Sequence, residues 1–124
     1  MTKNEKLETI DKLIKKGVTS ASVVEILKLI GAQGMDEQSL KELKLYSEFL
    51  PMGEEDPYTE EQRYLHFLWE AIDKVSLGID AEFAIWYRQF IAQKLFKKCG
   101  KGFIAHENCR FNYGHRIEVG DYVA

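Results

Sequence analysis

Residues 101–124, KGFIAHENCRFNYGHRIEVGDYVA, repeat in sixes. Gly102, Asn108, Gly114 and Gly120 stand six apart, and Ala105, Phe111, Ile117 and Val123 keep the same interval. A helix repeats near every ~3.6 residues and a strand near every ~2, so neither element alone explains this register. Gly and Asn accept a left-handed backbone more readily than other residues. The spacing therefore predicts a tight turn every six residues, with a small or apolar side chain turned inward between turns. That is the pattern of a parallel β-helix built from hexapeptides.

Two steps carry a family likeness: Phe111-Asn112-Tyr113-Gly114 and Ile117-Glu118-Val119-Gly120-Asp121. Through them the stretch resembles the entry into the left-handed parallel β-helix of hexapeptide-repeat acyltransferases, in particular the maltose and galactoside O-acetyltransferase branch. The likeness covers 24 of the 124 residues, with a looser one in the Lys/Phe-rich stretch before it and in Cys99-Gly100-Lys101-Gly102. It implies acetyl-CoA or another acyl-CoA as co-substrate and a homotrimer with active sites between neighbouring β-helices. It also implies a general-base histidine several coils beyond this motif. That base removes the proton of an acceptor hydroxyl as its oxygen attacks the thioester carbonyl. On this likeness no catalytic residue falls within the chain, His115 comes too early to be the base, and the acyl-CoA site lies in coils beyond Ala124.

The same likeness places Asn112 against a sugar-like acceptor, with Tyr113 and Arg110 as weaker members of that wall. A side-chain amide both donates and accepts, which suits a polyol hydroxyl; it equally suits a turn residue bonding its own backbone. One coil takes three hexapeptides, so the chain carries little more than one. Repeat folds bury their core by stacking neighbours and need caps at their ends. The expectation is the front part of a longer protein, inactive as 124 residues alone. The alternative is a short form whose open end is covered by a partner or by its own helices.

The rest of the chain reads as helical. Thr2 and Glu5 are spaced as a capping box, and Leu7, Ile10, Leu13 and Ile14 share one face before Lys15, Lys16 and Gly17. A second helix begins near Ser20 or Ser22 and runs to Gly31. Its nearly continuous apolar surface predicts that it is the buried one. A third starts at Asp36, carries Leu40, Leu43, Tyr46, Phe49 and Leu50, and is stopped by Pro51. Pro51–Tyr58, PMGEEDPY, reads as a linker and its acids as a solvated loop. Thr59 and Gln62 open a fourth helix that ends at Gly78, and Asp80 caps a fifth that reaches Phe96. The domain reading is a three-helix bundle over 1–50, a linker over 51–58, a two-helix cap over 59–100 and the start of a β-helix over 101–124. The fold class is mainly α, with about five helices leading into the first coil. His66, among aromatics, reads as a core-edge histidine satisfied by a hydrogen bond.

Composition narrows the function classes. The net charge is −3, and residues 1–50 hold as many acids as bases, which argues against a nucleic-acid partner. No apolar run approaches the roughly 20 residues of a membrane span, and the N-terminus is too charged for a signal peptide. Two Cys without an export signal read as reduced thiols in a cytoplasm. Cys99, His106, Cys109 and His115 are a zinc-type ligand set, yet their C-x6-H-x2-C-x5-H spacing departs from the common finger patterns, and no metal is expected. The lysines at the end of the last helix read as complements to its dipole. No phosphate loop, nucleophile elbow or metalloprotease motif occurs. The rival reading is a non-catalytic helical module for interaction or oligomerisation.

Overall fold

The computed structural model describes all 124 residues. Helix α1 spans Lys3–Lys16 behind the Thr2–Glu5 capping box, and Gly17 closes it with a positive φ of 111°. Helix α2 spans Ser20–Leu29, capped by Thr19 rather than by a serine. Val23, Ile26, Leu27 and Ile30 are all buried.

The expected third helix is only partly present. Helix α3 stops at Lys41 after five residues, Glu37–Lys41. The chain then turns extended at Leu45 and makes a short 3₁₀ turn at Tyr46–Phe49. The cause is Glu48. Its carboxylate accepts the Leu45 N–H at 2.8 Å and pairs with Arg63 at 2.5 Å, both side chains being largely buried. This ion pair pulls the turn inward, places Ser47 in the core and leaves Tyr46 and Phe49 95% and 77% exposed. Pro51 starts a helix instead of ending one. α4 runs Pro51–Glu55, because proline's missing N–H costs nothing in a first turn. The segment read as a linker is therefore partly helical.

Helix α5 covers Glu60–Ala71 with the Thr59–Gln62 capping box in place. It gives way to 3₁₀ turns at Ile72–Lys74 and Ser76–Ile79 before α6, Ala81–Leu95, capped by Asp80. α6 lies beside α1: Lys3 bonds Asp80 at 3.0 Å and Glu82 at 3.2 Å. Between α5 and α6 the Arg88–Asp73 pair, 2.6 Å apart, is almost fully buried. One cluster of 23 buried apolar residues runs from Leu7 to Ala105. It takes in both residues 1–50 and residues 59–100, so positions 51–58 do not divide two cores.

After α6 the chain makes one loop and returns alongside itself. Strands β1, Lys98–Cys99, and β2, Glu118–Val119, pair in parallel with Lys98 opposite Glu118, twenty residues later. The pairing continues in single bonds, Gly100 N–H to the Val119 carbonyl (3.0 Å) and Ile104 N–H to the Val123 carbonyl (2.9 Å). The sixfold turn holds only in part. Gly102 and Asn108 have positive φ of 73° and 59°, but Gly114 and Gly120 do not, and Tyr122 does instead. Gly114 sits within a 3₁₀ turn pressed on Leu95, so its lack of a side chain serves packing rather than a left-handed turn. Of the apolar set, Ala105 is buried, Phe111 and Ile117 pack on the core edge, and Val123 is exposed.

A Cβ on Gly100 would lie 2.4 Å from the Gly120 backbone, a contact that neither chain segment can relieve by turning a side chain. Gly100→Ala should destabilise the protein by about 1–3 kcal/mol, the range for overpacking. A urea midpoint lowered without loss of helical circular dichroism checks this.

Candidate functional site

The loop is held to the helical body by a cluster of rings and short hydrogen bonds around His66. α5 places this imidazole inward, 4% exposed. Its Nδ1 lies 2.6 Å from the Gln62 carbonyl one turn earlier, so Nδ1 carries the hydrogen. That leaves Nε2 as an acceptor, and Gly114 N–H donates to it at 2.9 Å. Both nitrogens are satisfied, as a core-edge histidine requires. Tyr58 stacks on the ring with centroids 4.5 Å apart, and Phe111 meets its edge at 5.7 Å.

Tyr58 ties three segments together. Its hydroxyl donates to the Asn112 carbonyl, so Ser47 Oγ is the donor in their 2.5 Å contact. Burial pushes the Tyr58 phenol up, which keeps that hydrogen in place at neutral pH. Tyr113 OH donates to the Ser47 carbonyl at 3.2 Å, and Trp69 Nε1 to the Cys109 carbonyl at 2.7 Å.

His115 Nε2 donates to Asp56 at 2.7 Å, and Arg116 Nε reaches the same carboxylate oxygen at 2.7 Å. The His115 hydrogen bond, opposed by partial burial and aided by Arg116, holds the Asp56 carboxyl below the usual range. A carboxylate-oriented imidazole is the arrangement of a general base. Here the other nitrogen, Nδ1, is buried without a partner, facing no solvent. The side chain is 13% exposed, with the Tyr58, His66 and Tyr113 rings around it. The pair therefore fastens α4 to the loop, and the free nitrogen of His115 is closed to solvent.

The three residues expected at an acceptor wall lie on this loop. Asn112 is exposed and Tyr113 half-buried, while Arg110 is exposed 3.7 Å from Glu70. Glu70 and Lys74 also line the largest cleft, about 570 Å³, between the end of α2 and α5 with Met35, Phe67 and Val75. The structure joins Asn112 and Tyr113 through Tyr58 and Ser47, and leaves Arg110 on a separate contact. No three His, Cys, Asp or Glu side chains converge as a metal site. Sequence reading missed Ser47, Asp56 and Tyr58; their only signal was an aromatic residue closing an acidic run. No family model, curated protein or solved structure matches the chain.

Burial, opposed by the Gln62 hydrogen bond and aided by His115, pushes His66 down from its ordinary 6.5 to about 4. Below pH 6.5 the unfolded chain takes up a proton that the folded one refuses. Stability should thus fall as pH drops from 6.5 toward 4, by about 3 kcal/mol over the window. His66→Phe should flatten that slope while costing about 1–3 kcal/mol at pH 7, because Gly114 N–H loses its acceptor. Urea titrations of both proteins at stepped pH check the pair of outcomes.

Proposed function

We propose that this chain is the helical cap and first coil of an acyl-CoA-dependent O-acyltransferase built on a left-handed parallel β-helix. The observation that carries the reading is the parallel β1–β2 pairing across twenty residues. A chain that returns parallel to itself after about three hexapeptides makes one coil of a solenoid, and the outer edge of β2 is free to accept the next. Helices α1–α6 then close the other end, as a cap must.

In this reading the cap and coil bind and orient; they do not abstract the proton. Both nitrogens of His66 are bonded, and His115 Nδ1 is sealed. The base belongs to coils beyond Ala124, as does the acyl-CoA site, in a homotrimeric, cytoplasmic enzyme. Asn112 presents its amide to a hydroxyl of a sugar-like acceptor, with Tyr113 beside it and Arg110 at the rim. A second reading, a non-catalytic interaction module, is favoured by one feature: the outward Tyr46–Phe49 turn.

The 124-residue chain alone should show no transfer from acetyl-CoA in a free-thiol assay, and turnover by a pure sample would overturn the division of labour. The reading frame past the Ala124 codon should continue in sixfold turns with a later histidine. A stop codon there would overturn the acyltransferase reading and leave the interaction module. In a protein that contains those coils, Asn112→Ala should raise the acceptor KM about tenfold, the loss expected for one neutral hydrogen bond with its partner left unpaired.

A further inference from the structure

A small cleft of about 100 Å³ lies where the first half of α6 meets the returning loop. Ala84, Ile85 and Arg88 stand on one face of α6 at helical spacing and line it. The 3₁₀ turn before α6 contributes Ile79, and the loop contributes Ala105 and Glu107. Ala84, Arg88 and Ala105 are buried, whereas Glu107 is exposed and stands at the mouth. The interior is thus apolar except for one guanidinium.

Arg88 is only 2% exposed, a rare place for arginine. Its planar head carries five N–H donors and no acceptor. Nη2 donates to Asp73 at 2.6 Å. Nε is sealed in the interior without a partner. Nη1 makes no hydrogen bond either, but it is not sealed, so it opens toward the cleft that Arg88 lines. A buried ion pair offsets its desolvation only when its remaining donors are bonded. This pair lacks an acceptor on the cleft side. Asp73 balances the charge of Arg88 and Glu107 opposes a polyanion, so a single negative charge fits. The alanines and isoleucines around the guanidinium require the remainder of such a ligand to be small and apolar.

The geometry points to a binding site for a small, free aliphatic monocarboxylate in this cleft, its carboxylate accepting from Arg88 Nη1 and its alkyl end against Ala84, Ile85 and Ala105. Asp73 holds the guanidinium in place, so the donor is ordered before the ligand arrives. The site is independent of the acyl-transfer reading, since it uses neither Asn112, Tyr113 nor Arg110. A bound acid bridges α6 and the loop.

Propionate is the probe, and propionamide, of the same shape without the charge, is its control, both at constant ionic strength. In ¹H–¹⁵N spectra propionate should shift the backbone amides of Ala84 and Ala105 saturably. The indole signal of Trp69, bonded to the Cys109 carbonyl, should stay in place. Propionamide should bind about tenfold more weakly, because its hydrogen bond to Nη1 is no longer between charges. Sulfate, doubly charged and without an apolar end, should also bind more weakly. Glu107→Gln, at an exposed position, should tighten propionate several-fold. Arg88→Met combined with Asp73→Leu exchanges the buried pair for apolar groups of similar size, a change that cores often accept, and should abolish binding. An unmoved Trp69 signal in both proteins shows that the body is folded. The absence of any saturable shift would overturn the proposal, since the cleft would then hold water alone. So would propionamide or sulfate binding as tightly as propionate, binding that survives the double substitution, or an affinity that Glu107→Gln leaves unchanged. Should the double variant fail to fold, the Glu107→Gln and propionamide results decide.

Discussion

One imidazole joins the two parts of this molecule. His66 sits on α5 within the helical core, yet the partner of its Nε2 is the backbone of Gly114, on the returning loop. The geometry works only for a neutral ring with its hydrogen on Nδ1, and the Gln62 carbonyl one helical turn away fixes that tautomer. Tyr58 stacks on the same ring, so the segment before α5 is oriented by it as well. Burying a neutral histidine costs little when both nitrogens are bonded, and much when one is not. The docking of the loop is thus conditional on protonation state, although no substrate reaches the ring.

Around that point the molecule uses a few inward-facing polar contacts to hold an irregular region. Ser47, Tyr58 and the Asn112 carbonyl form a chain of hydrogen bonds, and Glu48 with Arg63 fixes the turn from which Ser47 projects. The loop has little regular ladder to hold it. It is placed by Trp69 and Tyr58 donating to its carbonyls and by Phe103, Ala105 and Phe111 packing on the core. Asn112 owes its exposed side chain to this arrangement, because its backbone is the part that is tied down.

Much of the helical body was legible in local sequence. The boxes at Thr2–Glu5 and Thr59–Gln62, the Asp80 cap and the Gly17 stop all appear where residue chemistry places them. These are contacts within four residues, which is the range a sequence displays. The misreadings share the opposite character. The third helix fails because Glu48 is drawn to Arg63, fifteen residues on, and Pro51 begins α4, since a proline that stops one helix equally suits the first turn of the next. The sixfold register marked the left-handed turns at Gly102 and Asn108 but misjudged Gly114, which is glycine for the sake of Leu95 in α6. Asp56 and Tyr58 were invisible as site residues because their partners, His115 and Asn112, lie more than fifty positions away.

The twenty-residue span of the β1–β2 ladder carries a consequence for autonomy. Closing a loop of that length removes chain entropy that a few net hydrogen bonds, worth about 1 kcal/mol each, offset only in part. Two paired residues per strand are also fewer than an isolated sheet needs. Excised from α5 and α6, the loop would therefore not keep this shape. The helices act as its template, and the ordered edge of β2 is a property lent to it by the body on which it rests.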